Sequence, residues 1–336
     1  MRSNKKSKTL AKQMIRSGNA ARLPGTRIQN RCPVASVGVD AIDSLMGGGL
    51  PLSSVYVISE LESRKYAPLL QRYFVAEALT NKHAVYVDGP TLNFNELIEN
   101  LPSSSANSVP AQEELFPSRP NDDMKIAWRY KTQPAMNSAL SVKDKTKFDL
   151  TKKMDANEID LKTGNSTSYA SLWQHLFELC RSDQFAQETG HQVLRIFLDG
   201  IGSPLFEDGS KCQQFLRNLK ALIQQANAIV MLSIDESVLN QKEHKTLLSI
   251  ADAYFRLDVP DAETKKNIGL EERYDGHFQI VKLPHLNSFT TNKPDCVDLV
   301  FEKHRRYLEI RILHLPAVMG GADVAKTPCQ SIQEQF

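Results

Sequence analysis

Apolar residues along the chain alternate between short continuous runs and helical spacing. Val55 to Ser59 is a near-continuous apolar strand, and Ala67 to Asn81 follows with apolar residues at 69, 70, 73, 74 and 78 and with Pro68 in its first turn. That spacing predicts a helix laying one face on a sheet. Ala84 to Val87 is a short apolar run closed by Asp88-Gly89-Pro90, the pattern of a buried strand ending in a turn. Helical spacing returns at Leu172, Trp173, Leu176, Phe177, Leu179 and Cys180, followed by the strand Val193 to Leu198 ending at Asp199-Gly200. Ser210 and Gln213 match a capping box ahead of Phe215, Leu216, Leu219, Leu222 and Ile223, which form an amphipathic stripe. A strand at Ala228 to Ile234, a helix near Ser237 to Ile250 and a strand at Ala253 to Leu257 complete the series.

Strands and helices alternating at this spacing predict an α/β fold with a mostly parallel sheet covered on both faces. The pattern changes near the end. His277 to Leu283, Val297 to Lys303 and Tyr307 to Leu315 are separated by short turns without helices, which predicts an antiparallel extension at one sheet edge. Pro102, Pro110, Pro117 and Pro120, with Ser103-Ser104-Ser105, mark a low-complexity insertion over about 102–123. Met124 to Tyr130 (MKIAWRY) resumes as a strand whose Trp128 and Tyr130 fit core packing, and Thr132 to Thr167 reads as polar surface.

Charge divides the chain unevenly. Residues 1–31 hold nine Lys or Arg and no acid, so the net charge of +2 conceals a remainder of −7. Such a stretch predicts a basic disordered arm, followed by one domain over 32–316 and a small, polar tail over 317–336. No apolar run approaches the ~20 residues that cross a bilayer, and no secretory signal core is present, so the expected protein is soluble and intracellular. The five cysteines form no C-x-x-C pair and the eight histidines no H-E-x-x-H cluster, so the spacing supports neither a zinc motif nor a disulfide framework. No metal site and no cofactor are expected.

The candidate chemistry lies after the first strand. Gly38 to Leu50 (GVDAIDSLMGGGL) is the kind of lead-in that RecA-like ATPases place before that strand. An active P-loop would then read G-x-x-x-x-G-K-[ST], with backbone amides surrounding the phosphates. This chain reads Ser59, Glu60, Leu61, Glu62, Ser63, Arg64, Lys65, Tyr66. Both glycines are gone, Glu60 and Glu62 bring carboxylates toward a polyanion, and Tyr66 stands where a small hydroxyl would ligate Mg²⁺. Only Lys65 keeps its place. Asp199 is Walker-B-like, yet Asp199-Gly200 also reads as a strand-end turn. Pro90 stands near the place of a water-activating glutamate. Basic loop residues Lys152, Lys153, Lys242 and Lys245 are candidates for nucleic-acid contact, since phosphate contacts supply affinity.

Taken together, Gly47-Gly48-Gly49, the glycine-less loop, MKIAWRY at 124–130 and LRIFLDGIGSPLF at 194–206 resemble the fourth-subunit family of the eukaryotic Elongator complex. The resemblance covers most of residues 33–315. It implies a RecA-like, P-loop-NTPase-type fold without a working Walker A motif and no catalytic residues of its own. The implied role is accessory: a hetero-hexameric ring with the fifth and sixth subunits that binds tRNA and supports the catalytic subunits in carboxymethyl-type modification of wobble uridine (U34). The implied compartment is the cytoplasm, with the nucleus as an added location. Two other readings fit the residues: an ATPase whose sites are completed across a subunit interface, and a nucleic-acid-binding module acting through the basic arm.

Overall fold

A computed structural model describes residues 23–313 apart from 61–64, 105–146, 269, 289–291, 293 and 295. Its centre is a nine-stranded sheet in the order β14-β13-β12-β11-β4-β10-β9-β5-β8. β4 (Ser54–Glu60), β5 (Ala84–Asp88), β9 (Leu194–Asp199), β10 (Ala228–Asp235) and β11 (Ala253–Asp258) form the inner part. All pairings among them are parallel, as is that of the short edge strand β8 (Lys162–Thr163) with β5. β12 (Gly276–Lys282), β13 (Leu299–Lys303) and β14 (Leu308–Ile312) add antiparallel strands at the other edge. The expected mostly parallel α/β sheet with antiparallel edge strands near its end is therefore found.

The alternation along each strand explains the layers. In β4, Val55 and Val57 join one apolar cluster while Tyr56 and Ile58 join the other. The first face is covered by α4 (Tyr169–Cys180), α5 (Cys212–Ile223) and α6 (Gln241–Ile250), whose Leu176, Leu219 and Leu247 are fully buried. The second is covered by α2 (Ala67–Thr80) and by α1 (Asp40–Leu45), through residues such as Phe74, Ile42 and Leu45. Burial on both faces is what makes the central strands read as unbroken apolar runs.

Ahead of β4 lies a small antiparallel sheet of β1 (Thr26–Gln29), β2 (Cys32–Ala35) and β3 (Leu50–Pro51). β1 falls inside the stretch expected to be a disordered arm, so order starts earlier than the charge pattern suggested. The GGG turn is explained by backbone conformation: Gly47, Gly48 and Gly49 have φ of 79°, 121° and 136°. A Cβ on Gly49 would stand 2.7 Å from the Ala35 carbonyl oxygen. Only glycine fits there.

Three further expectations are corrected. Pro102–Ser104 is not insertion but strand β6, paired with β7 (Phe148–Lys153) inside the stretch expected as irregular surface. The fully buried Phe148 anchors that pair. Ser210 and Gln213 make no capping box, because the N-cap of α5 is Lys211, without a side-chain bond, and the Gln213 amide donates to Thr246 Oγ1 at 2.9 Å. The capping box belongs instead to α6, from Asn240 and Glu243. A short helix, α3 (Phe94–Glu99), follows β5, and another, α7 (Ala262–Asn267), follows β11. MKIAWRY and the tail lie outside the described residues.

Candidate functional site

The first N–H groups of a helix have no intrahelical partner, and the aligned peptide dipoles give that end partial positive charge. Such an end after a strand is a ready anion site. At the start of α2 the anion is a side chain of the same protein. Glu60 Oε1 accepts from the Lys65 amide at 3.0 Å, and Oε2 accepts from the Tyr66 and Ala67 amides at 3.0 and 2.9 Å. Glu60 ends β4, whose seven residues are all buried, and is itself fully buried. Tyr66, the N-cap, supplies no side-chain cap of its own. The carboxylate expected to oppose a phosphate therefore occupies the amides that a phosphate would need.

Tyr66 is equally committed. Its hydroxyl donates to Asp275 Oδ1 at 2.7 Å, and its ring meets Phe301 edge-on with centroids 4.9 Å apart. Asp275 Oδ2 in turn accepts from the Lys303 amide at 2.6 Å. Burial, with Asp275 beside it, raises the Tyr66 phenol well above its ordinary range. The residue in the metal-ligating position thus ties the start of α2 to the antiparallel edge. Lys65 is exposed, with Nζ 5.3 Å from the Tyr66 ring centroid. Arg64 lies outside the described residues.

The remaining strand ends carry polar groups that answer one another. Ser59 Oγ donates to Glu236 Oε1 at 2.7 Å, and Arg256 Nη2 pairs with Glu236 Oε2 at 2.7 Å. Burial raises the Glu236 carboxyl, but hydrogen bonds from Arg256, Tyr254 and Ser59 outweigh it and hold it low. Asp199, the Walker-B-like residue, accepts from Thr91 Oγ1 at 2.6 Å, and Gly200 has φ of 67°, as the strand-end turn reading requires. Asp88 accepts from Tyr86 Oη at 2.5 Å and from the Ser166 amide at 2.9 Å. Sequence reasoning missed Glu236, Arg256 and Asp275. The acidic Glu236 directly after β10, which ends at Asp235, was a visible signal for the first; nothing local marked the other two.

The four basic candidates do not come together. Lys242 and Lys245 are exposed on the first turns of α6, in a helix rather than a loop. Lys152 and Lys153 are exposed at the end of β7, whose Phe148 packs with α2 across the sheet from α6. The structure gives this second pair neighbours the sequence did not suggest: the Leu150 amide donates to the Arg306 carbonyl at 2.8 Å. Arg305 and Arg306 are exposed in the turn between β13 and β14, and Arg306 and Lys152 both help lower the Asp149 carboxyl, where Thr151 hydrogen bonds overcome burial. Lys152 and Arg306, both close enough to Asp149 to act on its carboxyl, start a basic margin that the exposed Lys153 and Arg305 adjoin along the chain.

A buried polar group lies under the lead-in. Asp43 accepts from Ser36 Oγ at 2.5 Å and from the Val37 amide at 2.9 Å. Burial still pushes its carboxyl up to about 7. His83 Nδ1 accepts from Arg195 Nε at 3.1 Å, so Nε2, 2.7 Å from the Pro24 carbonyl, is the protonated nitrogen of a neutral ring. Burial and Arg195 push His83 down to about 3.

Comparison with known proteins decides the family. The profile described as PAXNEB protein matches residues 19–335. The chain belongs to the PAXNEB protein family. Relatives of this PAXNEB chain include proteins called Elongator complex protein 4. The mouse protein is 28% identical over 88% of this chain and 80% of its own length. The Schizosaccharomyces pombe protein is 29% identical over 84% of this chain and 85% of its own. The zebrafish protein is 27% identical over 88% and 85%. Among solved structures, a KaiC-like protein from Pyrococcus horikoshii aligns with a TM-score of 0.49 at 13% identity, over 83% of the PAXNEB chain and 99% of its own.

Proposed function

We propose that this PAXNEB protein is a noncatalytic, RecA-like subunit of an Elongator complex. It joins the fifth and sixth subunits in a hetero-hexameric ring that binds tRNA and assists the catalytic subunits in carboxymethyl-type modification of wobble uridine. The observation carrying the noncatalytic part is the Glu60 carboxylate on the Lys65, Tyr66 and Ala67 amides. Those three donors are the groups a loop of this kind uses on a phosphate, and here they are filled from within. The names of the relatives support the complex. No helix among the described residues is long and apolar enough to cross a membrane. The reading puts the protein in the cytoplasm, with the nucleus as an added location.

The basic margin of Lys152, Lys153, Arg305 and Arg306 is the surface that contacts tRNA phosphates in this reading. Replacing Lys152, Lys153 and Arg306 by Glu should weaken tRNA binding by the assembled ring and lower its salt slope by about one per lost phosphate contact. The role itself is tested by mass spectrometry of wobble uridine in tRNA from cells with and without this chain. Carboxymethyl-type derivatives should disappear and return on rescue, including rescue with Lys65→Ala. Unchanged modification in the deletion refutes the function. Loss of rescue by Lys65→Ala refutes the noncatalytic loop.

A further inference from the structure

The β13–β14 hairpin sets two acidic side chains directly opposite each other: Glu302 pairs in register with Glu309. Like charges in that arrangement destabilise a strand pair unless a cation stands between them. His304, one residue past the end of β13, lies with Nε2 at 2.8 Å from Glu309 Oε2 and Nδ1 at 3.5 Å from Glu302 Oε1. One donor atom from each of the three residues lies within 4.8 Å of the other two. All three side chains are half-buried, with 30%, 23% and 20% of His304, Glu302 and Glu309 exposed.

The donors are also held in place. The His304 amide donates to the Tyr307 carbonyl at 2.9 Å, closing the turn, and the imidazole packs on the Tyr307 ring with centroids 4.6 Å apart. Arg311 Nε binds the other oxygen of Glu309, Oε1, at 2.6 Å, which leaves Oε2 directed at His304. An outer partner that orients a carboxylate ligand while a second residue fixes the imidazole is the support a metal site needs. None of this shows as a sequence motif, because the ligands come from two strands and the turn joining them.

We propose that Glu302, His304 and Glu309 form a binding site for Zn²⁺ on the outer edge of the sheet. One imidazole nitrogen and two carboxylate oxygens suit that ion, and they leave a fourth position for water or for a side chain of a neighbouring subunit. Mg²⁺ is disfavoured, since it takes oxygen ligands almost exclusively.

The test uses the full chain after treatment with a chelator, titrated calorimetrically with Zn²⁺. Co²⁺ serves as an optical probe of the ligand atoms. One saturable Zn²⁺ site is expected, unaffected by about a tenfold excess of Mg²⁺, with cobalt spectra lacking a thiolate charge-transfer band. His304→Gln should abolish saturable binding, and Arg311→Gln, which touches no metal, should weaken it by about tenfold or more. Circular dichroism and the thermal transition of both variants establish that they remain folded. Absence of saturable Zn²⁺ binding to the unmodified chain overturns the proposal. So does binding that persists in His304→Gln or carries a thiolate band, since the ion would then sit on the cysteines or on other histidines.

Discussion

Replacing Glu60 by Ala removes the acceptor of three amides at once. Their surroundings set the size of the effect. Lys65 is exposed, so water can take over its N–H, but Tyr66 and Ala67 are only 2% and 1% exposed. Two buried donors left without acceptors cost about 1–3 kcal/mol each. Relief from burying the carboxylate returns part of that, giving a net loss of about 3 kcal/mol. Glu60→Gln keeps the shape and one acceptor oxygen and should lose about half as much. Urea unfolding reads this as a fall in midpoint at unchanged slope, on the order of 1 M for Glu60→Ala. A second readout separates anion binding from packing. Inorganic phosphate can reach the vacated amides of Glu60→Ala and should restore up to about 2.7 kcal/mol at a hundred times its dissociation constant. The unmodified chain should not respond. A loss below about 0.5 kcal/mol, the range of an ordinary surface change, refutes the reasoning. Equal stabilisation of both proteins by phosphate refutes it as well.

Two other expectations follow from the same region. Tyr66→Phe loses the bond to Asp275 and leaves that half-exposed carboxylate to water, so it should cost about 1 kcal/mol and speed amide hydrogen exchange in β13 more than in β9. Asp43 and His83 should give the stability a concealed pH dependence. Asp43 has a folded pKa of about 7, above its unfolded value, so its contribution is complete at low pH and is lost as pH rises toward 7. His83 has a folded pKa of about 3, below its unfolded value, so its contribution is present above about pH 6.5 and is lost as pH falls toward 3. Between about pH 4 and 6.5 the two slopes, each at most about 1.4 kcal/mol per pH unit, oppose each other. Asp43→Asn should make stability rise with pH across that window, and His83→Gln should make it fall. Denaturant titrations in which both variants shift the slope the same way would contradict this assignment.

How far residues announce their structure depends on the range of the forces involved. β4, α2, β9 and β10 were legible to within a residue or two because burial on both faces of a strand, or on one face of a helix, leaves a local pattern in Val55 to Ser59 or Leu69 to Ala78. β7 was missed because only Phe148 and, just beyond its end, Met154 are buried in the core and Leu150 packs against it half-buried, while Thr151, Lys152 and Lys153 face water. The loss of the P-loop glycines was plain from Ser59 to Tyr66. What replaced the phosphate was not, since Glu60 reads equally as a solvated loop acid until its burial is known. Asp275 and Arg256 were invisible for a related reason: Asp275 meets Tyr66 across 209 residues, and Arg256 reaches Glu236 from β11, across the intervening β4. A pairing set by tertiary contact leaves no local signature.

Glu60 is joined to the amides it fills by the chain itself, five residues from the first of them. A tethered group has an effective concentration fixed by geometry, and here it ends a rigid strand in the middle of the sheet. No rise or fall of nucleotide or phosphate in the surroundings changes that concentration. Filling of the cradle is therefore settled once, when the domain folds, and reverses only by local unfolding. The start of α2, and the edge strands tied to it through Tyr66, therefore hold a single position whatever the supply of phosphate around them.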